Sequence, residues 1–248
     1  MDTLSTGASS AMPGQFRVGS VLSKTFAVFS RRFGKFFLLA LVPLLPVLLL
    51  IVLAIAASSA NSSAVAFMAG LAGILAFILQ IVAQATSLYG AFQEMRQRPF
   101  TIGESLRVGL SRALPVLGVG ILAGLAIIIG FLLLVVPGVI IACMLFAAAP
   151  ACIIERLGVM ASLKRSRALT KGYRWQIFGL FLLLIVVTGV GSFVLSRIGA
   201  GGVAAELLNF IWQVVSTAFG AVMSAVIYHD LRVAKEGIDG DTLTSVFD

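Results

Sequence analysis

Side chains able to do chemistry are few in this chain, and their densest group is cationic. Between Glu155 and Trp175 the run ERLGVMASLKRSRALTKGYRW holds six Lys or Arg residues, flanked on both sides by strongly apolar sequence. Within it Lys164, Arg165, Arg167, Lys171 and Arg174 fall inside eleven residues. That density suits anionic phospholipid headgroups, toward which each basic residue contributes about 1 kcal/mol. The same charges also serve as a topology signal. Other candidates are thinner. His229 is the sole histidine and adjoins Asp230, but one His-Asp step without a nucleophile falls far short of a catalytic triad. Cys143 and Cys152 share one apolar run; on a helix they lie about 13 Å apart, beyond disulfide reach, and read as small buried residues. The sequence holds no phosphate-binding loop and no zinc or His-carboxylate spacing, so the reading assigns no catalytic residue, metal or cofactor.

A second polar set lies inside apolar sequence. Gln80 and Gln84 stand one helical turn apart, and Asn209, Gln213, Ser216, Gly220 and Ser224 form one stripe. Facing lipid would leave them unpaired, so both sets are expected to point inward and to make the two spans neighbours. No apolar run carries a charged residue near its centre, which weighs against an ion-coupled carrier. Glu206 falls near Arg197, where a surface ion pair is expected.

The elements that must position these groups follow from composition. The chain has 248 residues, of which 60% are hydrophobic and only 11% charged, with a mean hydropathy of +1.09. Soluble domains carry about a quarter charged residues, so this is an integral membrane protein of the all-α class. Its net charge of +8 sits at the borders of apolar runs, which assigns it to orientation and phospholipid and excludes nucleic acid as the partner.

Residues 1–15 read as a disordered arm, 16–232 as one six-helix membrane domain and 233–248 as a tail. Arg17 to Lys35 has an apolar face of Val18, Val21, Leu22, Phe26, Phe29 and Phe33 and a basic one, an amphipathic interfacial helix. Phe36 to Ala57 is long enough to cross a bilayer, with Pro43 and Pro46 expected to kink it. Ser58 to Ser63 turns the chain into span two, Val65 to Leu88. Thr101 and Glu104 have capping-box spacing and open a second interfacial helix ending at Leu114. The 41 residues from Leu114 to Ile154 are twice what one crossing needs and must turn; Pro137-Gly138 places the turn, with span three at 114–136 and span four at 139–154. Gly120 and Gly124 suggest close helix packing in span three. A helix over Val159 to Lys171, ended by Gly172, leads through Tyr173 and Trp175 into span five, Ile177 to Leu195, and then span six, Leu207 to Ile227.

Aligning Leu22, Leu106 and Leu163 shows three copies of one unit, a basic surface helix followed by a transmembrane hairpin. Each unit crosses twice, so all three surface helices share one side, and of the 18 Lys and Arg only Arg197 falls on the other. The positive-inside rule puts both termini in the cytoplasm. All three tyrosines, Tyr89, Tyr173 and Tyr228, mark the same side.

The stretch from Ala149-Pro150 through Glu155-Arg156, then SLKRSRALTKGYRWQIFGLFLLL, with LLLVVPG before it and Tyr228 to Arg232 closing, resembles the bacterial membrane domain named after glycerophosphoryl diester phosphodiesterases. The resemblance runs from about Phe16 to Glu236 and centres on Ser166, Leu169, Thr170, Lys171 and Gly172. It implies the membrane part alone, without the soluble catalytic barrel fused to it in some members, and an inner-membrane location. The expectation is a non-enzymatic scaffold or accessory subunit that contacts phospholipid and serves a membrane-protein partner. The alternative is a passive transporter or lipid-moving protein using the polar stripe.

Overall fold

Long apolar runs in lipid must satisfy every backbone group internally, so they fold as helices. The computed structural model describes residues 16, 18–57, 63–198 and 203–237, and among these all regular elements are α-helical. The arms 1–15 and 238–248, Arg17, and the turns around Asn61 and Gly201 lie outside the described residues. The helices are α1 (Val18–Arg31), α2 (Phe33–Ala57), α3 (Ser63–Met95), α4 (Ile102–Leu133), α5 (Val135–Leu145), α6 (Ala148–Ile154), α7 (Val159–Thr170), α8 (Arg174–Ile198) and α9 (Val203–Glu236). Six stretches are long and apolar enough to cross a membrane, α5 and α6 together forming one of them, which makes this a multi-pass membrane protein.

The core is built on α9, whose residues 221–228 are all buried among α1, α2, α3 and α8. Small residues there, Ala218, Ala221, Ser224 and Ala225, let neighbouring backbones approach. Spans two and six are in contact as α3 and α9. Pro43 does not end α2. It cannot donate to the carbonyl of Leu39 four residues back, and the hydroxyl of Thr86 on α3 donates to that carbonyl instead, at 3.1 Å.

Several expected boundaries move. Residues 102–114 are not a separate surface helix; they continue into span three as the first turns of α4, because nothing after the Thr101 cap interrupts the ladder and Pro115 is tolerated within it. The Thr101 hydroxyl does accept from the Glu104 amide at 3.2 Å. The turn falls at Leu134, whereas Pro137-Gly138 lies in the first turn of α5, where proline's missing N–H costs nothing. Gly130 and Gly138 make this tight corner: a Cβ on Gly130 would lie 2.9 Å from the Gly138 Cα. Gly120 and Gly124, by contrast, border open space and pack no partner. At the C-terminal end α9 runs on through Arg232 to Glu236, so the residues expected to begin a tail at 233 are helical.

Candidate functional site

The basic segments converge at one end of the helix bundle. Lys24 of α1 donates to both oxygens of Asp230 on α9, at 2.9 and 3.0 Å. Arg32, in the α1–α2 corner, reaches Glu94 at the end of α3, 3.3 Å away. The third and largest node forms around Glu155, just past α6. Its carboxylate accepts from Arg165 Nε at 3.0 Å and Nη2 at 2.8 Å and from the Tyr228 hydroxyl, while Arg232 stands 3.7 Å off. Arg165 also pairs with Glu236, which Arg232 holds from the other side at 3.1 Å. Two carboxylates and two guanidiniums thus tie α7 to α9, as fork-shaped donors do well.

The electrostatics of this node follow from its contacts. Burial alone would raise the Glu155 pKa, but hydrogen bonds from Arg165 and Tyr228 and the fields of Arg165 and Arg232 hold it below the ordinary carboxylate value. Burial likewise opposes the Arg165 cation, and Glu155 and Glu236 outweigh it, raising its pKa. Arg96, outside this node, is lowered by burial and then by Arg98 and Arg232. His229 Nδ1 lies 3.4 Å from Asp230 Oδ1, but both Asp230 oxygens already accept from Lys24. Among the described residues no group of three metal-ligating side chains forms.

Helix α7 is anchored by its small polar residues. The break between α5 and α6 leaves the Met144 carbonyl without a helical partner; Ser166 donates to it at 2.7 Å and Thr170 at 3.2 Å. Leu169 is fully buried beside them, and Gly172 takes φ +94° just past the helix, a left-handed conformation that glycine adopts freely. The Ser166 to Gly172 core is therefore a device that seats a surface helix on a broken span.

No family model, curated protein or solved structure matches this chain.

Of the five basic residues expected at headgroups, Lys164 and Arg167 share the exposed face of α7, Lys171 is exposed just past its end at Thr170, one residue short of the expected helix, and none of the three has an ion-pair partner among the described residues. Arg165 turns inward to Glu155 and Glu236, and Arg174 is half-buried with its Nε lacking a protein partner. The tyrosines all sit at this end as parts of polar networks: Tyr89 donates to Glu104 at 2.8 Å, Tyr228 to Glu155, and the Tyr173 ring takes Lys235 at 5.6 Å. Trp175, 81% exposed, is the better membrane anchor.

The intramembrane stripe divides. Gln80 donates to Thr217 at 2.8 Å across α3 and α9 as an inward-facing residue should. Gln84 instead points outward and is exposed, because α3 buries Ala83, Thr86 and Ser87 at that level. Asn209 donates to its own helix at Ala205, and Gln213 is exposed. Gln80, Asn209, Gln213 and Glu206 border a cleft of about 330 Å³ between α2, α3 and α9. Arg197 lies over the Phe193 ring, 5.0 Å away, and no Arg197–Glu206 pair forms among the described residues. Sequence reasoning missed Glu155, Thr86, Thr217 and Glu236. Only Glu155 carried a signal, as the lone acid in a basic run.

Proposed function

We propose that this protein is a non-catalytic membrane scaffold or accessory subunit of a bacterial inner membrane, its basic end cytoplasmic, whose α7 binds anionic phospholipid headgroups. One observation carries the reading: α7 is bolted down through Ser162, Ser166, Leu169 and Thr170 and by Arg165, while Lys164 and Arg167 on its other side and Lys171 just past its end stand exposed, without an ion-pair partner among the described residues. An anchored helix backbone fixes where these cations start from, so meeting phosphate costs their side-chain freedom but little further backbone ordering. The carboxylates at this end are engaged by Lys24, Arg32, Arg165 and Arg232, which supports a structural role for them over acid–base work. The resemblance to the phosphodiesterase-associated membrane domain is consistent with this reading and rests on the quoted residues alone.

The triple variant K164Q/R167Q/K171Q tests it. Purified from membranes, it should retain several-fold less phosphatidylglycerol than the parent, at about 1 kcal/mol per basic residue, and the difference should shrink in high salt. Equal retention with normal insertion would leave these charges as topology determinants only. The second reading, a passive or lipid-moving pathway, is favoured by the cleft at Gln80, Asn209 and Gln213.

A further inference from the structure

A strongly cationic cavity lies away from α7, at the corner where α1 meets α2 and the loop after α3 folds over them. Arg31, Arg32, Lys35 and Arg98 border a cleft of about 540 Å³ whose one carboxylate is Glu94. Four cations against one anion leave it a net charge of +3. Glu94 faces Arg32 at 3.3 Å, so it neutralises one guanidinium only. Arg31 and Arg98 are exposed and have no ion-pair partner among the described residues, and Lys35 Nζ rests 5.0 Å over the Phe100 ring and 3.5 Å from the Phe100 carbonyl. Like charges that border one cleft repel one another, and an entering anion offsets that repulsion.

The loop that brings Arg98 here is built with care. The Arg98 amide donates to the Gln93 carbonyl and the Gln97 amide to that of Glu94, both at 3.0 Å, which is the double hydrogen bond of a Schellman helix end. Its left-handed position is held by Gln97, at φ 55°, where glycine would sit at no conformational cost. The side chain put there against backbone preference lines the cleft. A second, smaller cleft of about 290 Å³ shares Arg31, Glu94 and Gln97 and continues toward His229 and the Lys24–Asp230 pair, where the charges balance, so the excess of cations is confined to the larger cleft.

The geometry points to a phosphate-binding site in this cleft, formed by the Arg31 and Arg98 guanidiniums with Lys35 as a third cation. Arginine forks suit phosphate oxygens, and the volume accepts a phosphate with its attached alcohol. The phosphate comes either from a lipid headgroup, the cleft lying at the same end as the other basic segments, or from a soluble anion. The site uses none of the α7 cations, so it stands or falls apart from the reading above.

The test uses the full chain in nanodiscs, with R31Q/R98Q as the principal variant because both side chains are exposed and unpaired. Phosphatidylglycerol doped into phosphatidylcholine nanodiscs is one probe, scored as bound lipid by native mass spectrometry. Inorganic phosphate titrated calorimetrically onto phosphatidylcholine nanodiscs is the other. A saturable lipid affinity that falls roughly tenfold in R31Q/R98Q assigns the site to headgroups, and phosphate binding lost in the same variant assigns it to a soluble anion. R31K/R98K, which keeps both charges but loses the forks, should bind more weakly than the parent and more tightly than R31Q/R98Q. K164Q/R167Q/K171Q should leave the inorganic phosphate titration unchanged, and in that background R31Q/R98Q should still lower lipid binding roughly tenfold. Binding of both probes unaltered in a folded R31Q/R98Q protein, or no binding of either by the parent, overturns the proposal.

Discussion

At Glu155 three side chains from two helices converge on one carboxylate, and this arrangement makes stability depend on pH. Its pKa is depressed in the folded protein, so the group contributes stability that is present above the unfolded carboxylate value of about 4.3 and lost as pH falls through the folded one. E155Q should lower the thermal midpoint in detergent at pH 7 by the equivalent of roughly 1–2 kcal/mol, since it weakens charge-assisted bonds to Arg165 and Tyr228. The gap between parent and variant should narrow as pH drops from about 5 toward 3. A gap that stays constant over that range would show that the ionised Glu155 carboxylate adds nothing to stability.

Among elements, the α2–α3–α4 contact turns on one hydroxyl. Thr86 supplies the Leu39 carbonyl with the hydrogen bond that Pro43 cannot, and Gly109 of α4 lies so close that a Cβ there would be 2.2 Å from Thr86 Cγ2. Thr86→Val keeps the shape and leaves the carbonyl without its donor, at a cost of about 1–2 kcal/mol in unfolding free energy. Thr86→Ser, which keeps the hydroxyl, should retain more of the stability than valine despite losing a methyl. Denaturation of the purified variants in detergent decides this, and a valine variant as stable as the parent would mean that the Leu39 carbonyl finds another donor. The same reasoning applies at α7, where Ser166 and Thr170 serve a carbonyl freed by a broken helix.

On the scale of the whole molecule, the contacts Lys24–Asp230, Arg32–Glu94 and Arg165–Glu236 bring distant basic segments to one end of the bundle. Arg197 stands at the opposite end of α8 from Arg174. The positive-inside rule is the ground for the proposed cytoplasmic placement of the crowded end. Cysteines placed at the exposed positions 164 and 197 should therefore react differently with an impermeant maleimide in intact cells: R197C labels directly, K164C only after permeabilisation. The reverse pattern would invert the orientation and, with it, the leaflet whose lipids α7 meets.

Class, charge distribution and some helix ends were readable from the residues because they depend on neighbours within a turn or on the thickness of a bilayer. Apolar length sets the spans, Thr101 caps α4 three residues ahead of its partner, and Gly172 permits the left-handed exit from α7. The site was less legible. Lys164 and Arg165 are adjacent and chemically alike, yet among the described residues only Arg165 has an ion-pair partner, because a helix turns about 100° per residue and α9 lies on one side only. Gln80 and Gln84 share a face by spacing, yet among the described residues Gln80 alone of the two finds a side-chain partner, Thr217, which is 137 residues away. The need of the Leu39 carbonyl was written at Pro43, but its donor, Thr86, lies 47 residues along the chain. Local chemistry states which groups require partners; tertiary packing alone decides which partners come within the 3 Å or so that a hydrogen bond demands.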